Sequence, residues 1–301
     1  MSYTFDVIIP TFNNLPDLKQ CLEGFSKQTF KDFRVIVCVD GSTDGTNEYI
    51  DSLNYEFEIL RLNHPGNENK GRAATRNLAL TYLDSEYILF IDSDILPFKD
   101  LLKYHFELLS TKDCISIGEV IYKDRNKNIW SFYLQTRGKG KHKNLDVMPS
   151  YYLNTQNVAL LTKHFVEVGG HDSDLTKWYG AEDTVLGYLI EKKFNIPTIF
   201  NKSAVAFSES ESSLEEALKR LRGFGNINLK IIKEKYPDLN KIFKFNLMDS
   251  NAIYIKFFKF FLKDSVSNAL MGMLRIFPPP IKLRIIQFLV FNSIYQGYKS
   301  K

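Results

Sequence analysis

The sequence predicts an α/β fold: a mostly parallel sheet flanked by helices, with a helical appendage at the C-terminus. Three observations carry this. Through the first hundred residues short apolar runs alternate with segments of helical periodicity, and crossovers of that kind force neighbouring strands to be parallel. Three of the runs end in polar, turn-forming clusters, at the carboxyl ends where parallel sheets bind their ligands. From Asn251 onward the composition turns aromatic and basic.

The elements follow in order. Phe5–Ile9 is an apolar strand stopped by Pro10-Thr11-Phe12-Asn13-Asn14, a turn cluster. Leu15, Leu18, Cys21, Leu22 and Phe25 recur at helical spacing, so Leu15–Ser26 is a helix. Phe33–Val39 is the next strand and ends in Asp40-Gly41-Ser42-Thr43-Asp44-Gly45. Thr46–Leu53 is helical, Phe57–Leu62 a third strand, Gly71–Leu83 a helix and Tyr87–Ile91 a fourth strand. Its apolar run is that of a strand covered on both faces. It ends in Asp92-Ser93-Asp94, and in extended geometry residues two apart point the same way. Two like charges there pack poorly unless a divalent cation and an oxygen-rich ligand neutralise them.

Leu101–Leu109 is a helix and Cys114–Tyr122 a strand. Lys123–Asp146 reads as a polar loop, most basic at Gly138–His142 and Lys143; it is either a solvated insertion or a lid over an anionic reactant. Tyr151–Leu161 returns to a buried strand with a polar interruption at Asn154–Asn157. Val168-Gly169-Gly170-His171-Asp172 then leads to a helix opened by Glu182-Asp183.

Composition narrows the function classes. The chain has 301 residues, 44% hydrophobic, enough for one large domain or one domain with an appendage. A formal charge of +4, without a nucleic-acid-binding motif, gives no reason to expect nucleic acid. Cys21, Cys38 and Cys114 stand far apart in apolar surroundings and read as reduced core residues of a cytosolic protein. No signal-peptide pattern opens the chain and no apolar window is long enough to span a bilayer. The expected location is cytoplasmic, with peripheral attachment to the inner face of a membrane.

Pro10-Thr11, Asp40 and Asp92/Asp94 fall at the ends of three strands, with Lys70, Arg72 and Arg76 at the rim. Singly these are strand stops, helix caps and solvated charges. Together they make an acidic, hydrogen-bonding pocket with cations nearby, the mixture a nucleoside diphosphate requires. Val7–Asn14, Val39–Thr46, Asn69-Lys70-Gly71 with Ala74-Thr75-Arg76-Asn77, Phe90–Asp94 and the Glu182-Asp183 pair resemble, in order, the motifs of family 2 glycosyltransferases of the GT-A fold. The similarity covers roughly residues 3–225. The catalytic domain is therefore expected at 1–225, with a nucleotide-binding half (1–100) and an acceptor half (101–225), and 226–301 as the appendage.

The resemblance implies a nucleotide-sugar donor, a Mn²⁺ or Mg²⁺ ion and inversion at the anomeric carbon. It implies that Pro10, Thr11, Asn13 and Ser93 line the donor site, that Asp40 contacts the base and Asp92 the ribose or a metal-bound water. Asp94 holds the metal, Asp183 is the general base, and Glu182 binds acceptor hydroxyls. Lys70, Arg72 or Arg76 steadies the departing diphosphate. Trp178 is either an apolar face for the acceptor sugar or a packed core residue. The sequence departs from the pattern where a metal-binding His is usual: Ser208 or Ser210 stands there, with Glu209 or water as the replacement ligand. Leu189 stands where an Arg is usual, and neither a Gln-x-x-Arg-Trp motif nor a membrane bundle is present. Addition of one sugar to a glycan, lipid-linked or protein-linked glycan acceptor is thus expected over processive synthesis. The alternative is a catalytically silent donor-binding or assembly subunit.

From Asn251 eight Lys or Arg (Lys256, Lys259, Lys263, Arg275, Lys282, Arg284, Lys299, Lys301) face one acid, Asp264, so the segment carries +7 and the rest of the chain −3. Ile253–Leu262 and Ile281–Tyr295 are expected helices. They either pack on protein or lie on an anionic membrane surface.

Overall fold

A computed structural model describes residues 3–136, 142–209 and 212–300. The chain packs as two compact units, Met1–Thr176 with Glu182–Glu211, and Lys177–Ala181 with Ser212–Lys301.

The first unit opens with β1 (Phe5–Thr11), α1 (Leu15–Ser26), β2 (Phe33–Val39), α2 (Thr46–Asp51), β3 (Ile59–Asn63), α3 (Arg72–Asn77) and β4 (Tyr87–Phe90). It continues with β5 (Ile95–Pro97), α4 (Leu101–Leu109), β6 (Ile115–Tyr122), α5 (Ile129–Thr136), β7 (Val147–Met148), β8 (Val158–Leu161), α6 (Thr162–Glu167), α7 (Glu182–Phe194) and β9 (Thr198–Ser208). The nine strands form one sheet in the order β3-β2-β1-β4-β8-β6-β9-β5, with β7 paired to β9. β1 runs parallel to β2 and β4, and β2 parallel to β3. The second half is mixed, since β8 enters antiparallel to both β4 and β6.

Two apolar layers cover the sheet. Phe5, Val7 and Ile9 pack with Leu18, Leu22 and Phe25 of α1, while Ile8, Ile36 and Phe90 pack on the opposite layer with Phe165 and Leu186. Alternate residues of β1 thus point to opposite faces. A buried polar knot ties the second half together: His105 meets Ser116 through Nδ1 (2.8 Å) and Asn157 through Nε2 (2.9 Å), and Asn157 donates to the Ala204 carbonyl (2.9 Å). All three cysteines are free and buried.

Three sequence expectations change. Lys123–Asp146 is not loop throughout: α5 forms within it, because Trp130 and Tyr133, one helical turn apart, are both buried. Gly138–Lys141 of its basic stretch lie outside the described residues. The strand expected over Tyr151–Leu161 shrinks to Val158–Leu161, because Thr155 and Asn157 spend their polar groups on side-chain bonds. The boundary expected at 225/226 falls at the end of a helix of the second unit.

That unit contains α8 (Leu214–Asn226), α9 (Asn228–Lys235), α10 (Asn240–Phe243), α11 (Phe245–Asp249), α12 (Ile253–Phe260), α13 (Asp264–Met273) and α14 (Pro279–Lys299). Ser213 caps α8 reciprocally with Glu216. α8 and α14 meet backbone to backbone: a Cβ at Gly225 would lie 2.1 Å from the Ile294 carbonyl oxygen. That contact assigns α8 to the C-terminal unit. Among the described residues no helix is long and apolar enough to cross a membrane.

Candidate active site

The strand ends converge because their turns are stapled to one another. Asn13, with φ of 46°, donates its backbone N–H to Ser42 Oγ (3.0 Å) and accepts the Thr43 N–H on Oδ1 (2.8 Å). The turn after β1 is thereby locked to the turn after β2. Gly41 has φ of +75°, and a Cβ there would lie 2.8 Å from the Asn67 carbonyl oxygen and from the Asn69 nitrogen. Only glycine suits both demands. Asp40 accepts the N–H of Lys70 (2.7 Å) and of Gly71 (3.1 Å), so its carboxylate holds the loop before α3.

These turns enclose a cavity of about 500 Å³ lined by Pro10, Thr11, Phe12, Asn13, Asp40, Arg72, Arg76, Asp92, Ser93 and Asp94. Thr11 Oγ1 is buried without a partner, a hydrogen-bonding group of the kind a bound ligand or ordered water satisfies. Phe12, half exposed, adds an aromatic face to the cavity lining. Arg72 is exposed and Lys70 pairs with Glu68.

A buried charge cluster adjoins the cavity and shares Arg76 and Asp92 with its lining. Arg76, 2% exposed, donates from Nη2 to Asp92 Oδ1 at 2.6 Å, while its Nε and Nη1 have no partner. Burial opposes its charge, but Asp92, Asp183 and Glu182 outweigh that and raise its pKa. Arg76 therefore lies buried in the cavity wall as the counter-ion of three carboxylates rather than reaching out from the rim. α7 delivers two of them. Asp183 accepts the Thr155 N–H (3.0 Å) and the Thr155 hydroxyl (3.0 Å to each oxygen), and its side chain keeps 21% exposure. Burial pushes its pKa up, Arg76 and the Thr155 N–H pull it back, Asp92 adds to the rise, and the Thr155 hydroxyl opposes it. Glu182 is more enclosed, and burial followed by the charge of Asp183 pushes it up to about 7. His171 lies against Phe90 and Phe165, its Nδ1 4.0 Å from Asp183 Oδ1. Burial and the nearby Arg76 charge push it down to about 3, so it stays neutral.

A divalent ion suits this donor set. Asp92 and Asp94 offer hard oxygen donors at an open cavity, and Mg²⁺ is held by one or two carboxylates with substrate phosphates completing the shell. Among the described residues no three His, Cys, Asp or Glu side chains converge to hold an ion unaided. Ile95 pairs with Ser208, which brings Glu209 to the Asp94 end of β9, where it pairs with Lys123. Ser208 is buried, and Ser210 lies outside the described residues. Trp178 belongs to the second unit, where its ring lies on Gly223 and Nε1 donates to the Arg220 carbonyl (3.0 Å).

Sequence reasoning missed Thr155, His171 and Phe12 as site residues. Only the polar break in an apolar run marked Thr155, and only the Gly-Gly turn marked His171.

Residues 6–169 match the sequence model of glycosyl transferase family 2. The chain belongs to that family. Among its relatives, glycosyltransferase GlyG of Streptococcus pneumoniae serotype 4 is 30% identical over 136 residues, 44% of each chain. The GalNAc(5)-diNAcBac-PP-undecaprenol beta-1,3-glucosyltransferase of Campylobacter jejuni is 23% identical over 218 residues, 69% of this chain and 68% of that one. The chain thus spans less than half the length of GlyG. In fold it is similar to the mannosyltransferase PcManGT of Pyrobaculum calidifontis, solved with GDP-Man and Mn²⁺ (TM-score 0.65, 16% identity, 100% of this chain and 89% of that one). It is also similar to S. aureus TarS 1–349, solved with UDP-GlcNAc (TM-score 0.55, 16% identity, 99% and 92%). The family 2 chain therefore has a GT-A fold.

Proposed function

We propose that this family 2 chain is a non-processive, inverting glycosyltransferase. It moves one sugar from a nucleotide-sugar, here taken as a UDP-sugar, to a glycan, lipid-linked or protein-linked glycan acceptor. One observation carries the reading: the buried Arg76 donates to Asp92 of the cavity at 2.6 Å and faces the charges of Asp183 and Glu182 as well. The donor cavity and the acidic pair on α7 are therefore one electrostatic unit. The UDP-GlcNAc of TarS, the Mn²⁺ of PcManGT and the undecaprenol diphosphate in the C. jejuni enzyme's name support the donor, metal and acceptor classes.

In this reading Phe12 and Thr11 receive the nucleoside, and Asp94 with Asp92 would hold Mn²⁺ or Mg²⁺. When bound, that ion supplies positive charge to the departing diphosphate. Arg72 adds a cation at the same cavity, and Arg76 fixes the Asp92 carboxylate. Asp183 takes the proton of the acceptor hydroxyl as its oxygen bonds to the anomeric carbon and the bond from that carbon to the diphosphate breaks. Asp183 suits this task better than Glu182 because it is the more exposed of the two. The test is release of nucleoside diphosphate and transfer from a panel of nucleotide-sugars with Mn²⁺, comparing the native chain with Asp183→Asn. Donor binding retained with transfer lost is expected. Transfer that persists in Asp183→Asn removes that residue as the base.

A further inference from the structure

The second unit holds a surface that glycosyl transfer does not explain. α13 and α14 are joined by a short corner where Met273 and Ile276 are exposed, followed by Pro278-Pro279-Pro280 and Ile281, all exposed. Ile276 is 74% exposed, far from the usual fate of an isoleucine. The corner is anchored from within, since Leu274, Ile285, Ile286 and Leu289 on either side of it are buried. Cations flank it: Arg275 and Arg284 are exposed and Lys282 is partly so. No Asp or Glu follows Asp264 in the chain, and Asp264 itself pairs with Arg222 (3.0 Å).

The chemistry favours lipid as the occupant. Three consecutive prolines have no backbone N–H, so the tip can enter a low-dielectric boundary while stranding few donors. Flanking cations without acids complement anionic headgroups. Lys259 of α12 and Lys263 just after it are weaker candidates, because Lys259 donates to the carbonyls of Met248 and Ser250 (2.7 Å each) and Lys263 lies over the Phe260 ring. The side chains of Lys256, Phe257 and Phe258 lie outside the described residues.

We propose that the α13–α14 corner, Met273 to Arg284, is a membrane-docking tip. Met273, Ile276 and Ile281 enter the acyl boundary of an anionic bilayer while Arg275, Lys282 and Arg284 contact its phosphates. This goes beyond the transfer reading and stands without it.

The full chain is sedimented with phosphatidylcholine vesicles with and without phosphatidylglycerol, at low and high salt. Salt-sensitive binding to the anionic vesicles is expected. The double variant Ile276→Asp/Ile281→Asp should weaken it at least ~10-fold, and Arg275→Gln/Lys282→Gln/Arg284→Gln by about 10-fold or more. Donor hydrolysis in solution and the melting temperature, measured on the same variants, should stay as in the native chain. The proposal is overturned if the native chain ignores anionic vesicles, or if neither variant changes binding. It is equally overturned if the native chain forms a lipid-free dimer that Ile276→Asp abolishes, which would assign the corner to a second copy. Loss of donor turnover with vesicle binding intact would strike the transfer reading alone.

Discussion

Thr155→Val isolates what tunes Asp183, the proposed base. The Thr155 hydroxyl lies 3.0 Å from both oxygens of Asp183, and valine keeps the shape and the backbone N–H while deleting that donor. A hydrogen bond to a charged group contributes about 1.5–3 kcal/mol. Part of it survives when the carboxyl is protonated, so the differential is roughly 1.4 kcal/mol, or about one pKa unit. The sign follows from which form is favoured. The hydroxyl stabilises carboxylate, its loss raises the Asp183 pKa further, and less base is present at any pH below the limb. The acid limb of kcat/KM for transfer should move up by about one unit, costing ~5–10-fold on the limb and under ~2-fold on the alkaline plateau. The limb belongs to the Glu182–Asp183 pair, not to one residue alone. A pH profile with saturating donor and Mn²⁺ reads this directly. A plateau lowered uniformly with the limb unmoved would refute the reasoning, because it would make Thr155 a packing residue and leave Asp183 outside the titration.

Three further perturbations test other parts of the site. Asp94→Ala should leave the melting temperature within the change of about 0.5 kcal/mol usual for surface sites, since Asp94 is exposed. It should weaken the Mn²⁺ dependence of donor binding, measured by calorimetry across a metal titration. Asp40→Asn should lower both stability, by about 1–3 kcal/mol, and donor affinity, because one carboxylate accepts the Lys70 and Gly71 N–H groups and lines the cavity; denaturant melts and donor titrations check it. Glu182→Gln should stabilise the fold more at pH 8 than at pH 5. The Glu182 pKa is raised to about 7 in the folded chain, so the native chain loses stability as pH climbs from the ordinary carboxylate range through that value. Equal melting shifts at the two pH values would deny the buried charge.

Much of the candidate site was legible in the sequence because the cavity-lining residues lie at the ends of strands, and strand ends announce themselves locally. The apolar runs before Pro10, Asp40 and Asp92 marked the sheet, and helix periodicity gave Leu15–Ser26 and Leu101–Leu109 their bounds. Less legible were segments whose polar residues serve buried partners. Asn154–Asn157 broke an apolar run without showing what Thr155 and Asn157 would bind. In Lys123–Asp146 the surrounding charge masked the short apolar turn that buries Trp130 and Tyr133.

The sequence by itself determined where burial alternates, where turns must fall and hence the β/α order that brings Pro10, Asp40 and Asp94 to one edge. Only the tertiary structure decided that Arg76 turns inward to Asp92, that Thr155 holds Asp183 across 28 residues, and that α8 belongs with α14. The physical reason is range. Periodicity records which face of an element meets water, a property of near neighbours. Which buried charge finds which partner depends on strand order and helix approach, and those are set by the packing of the whole unit.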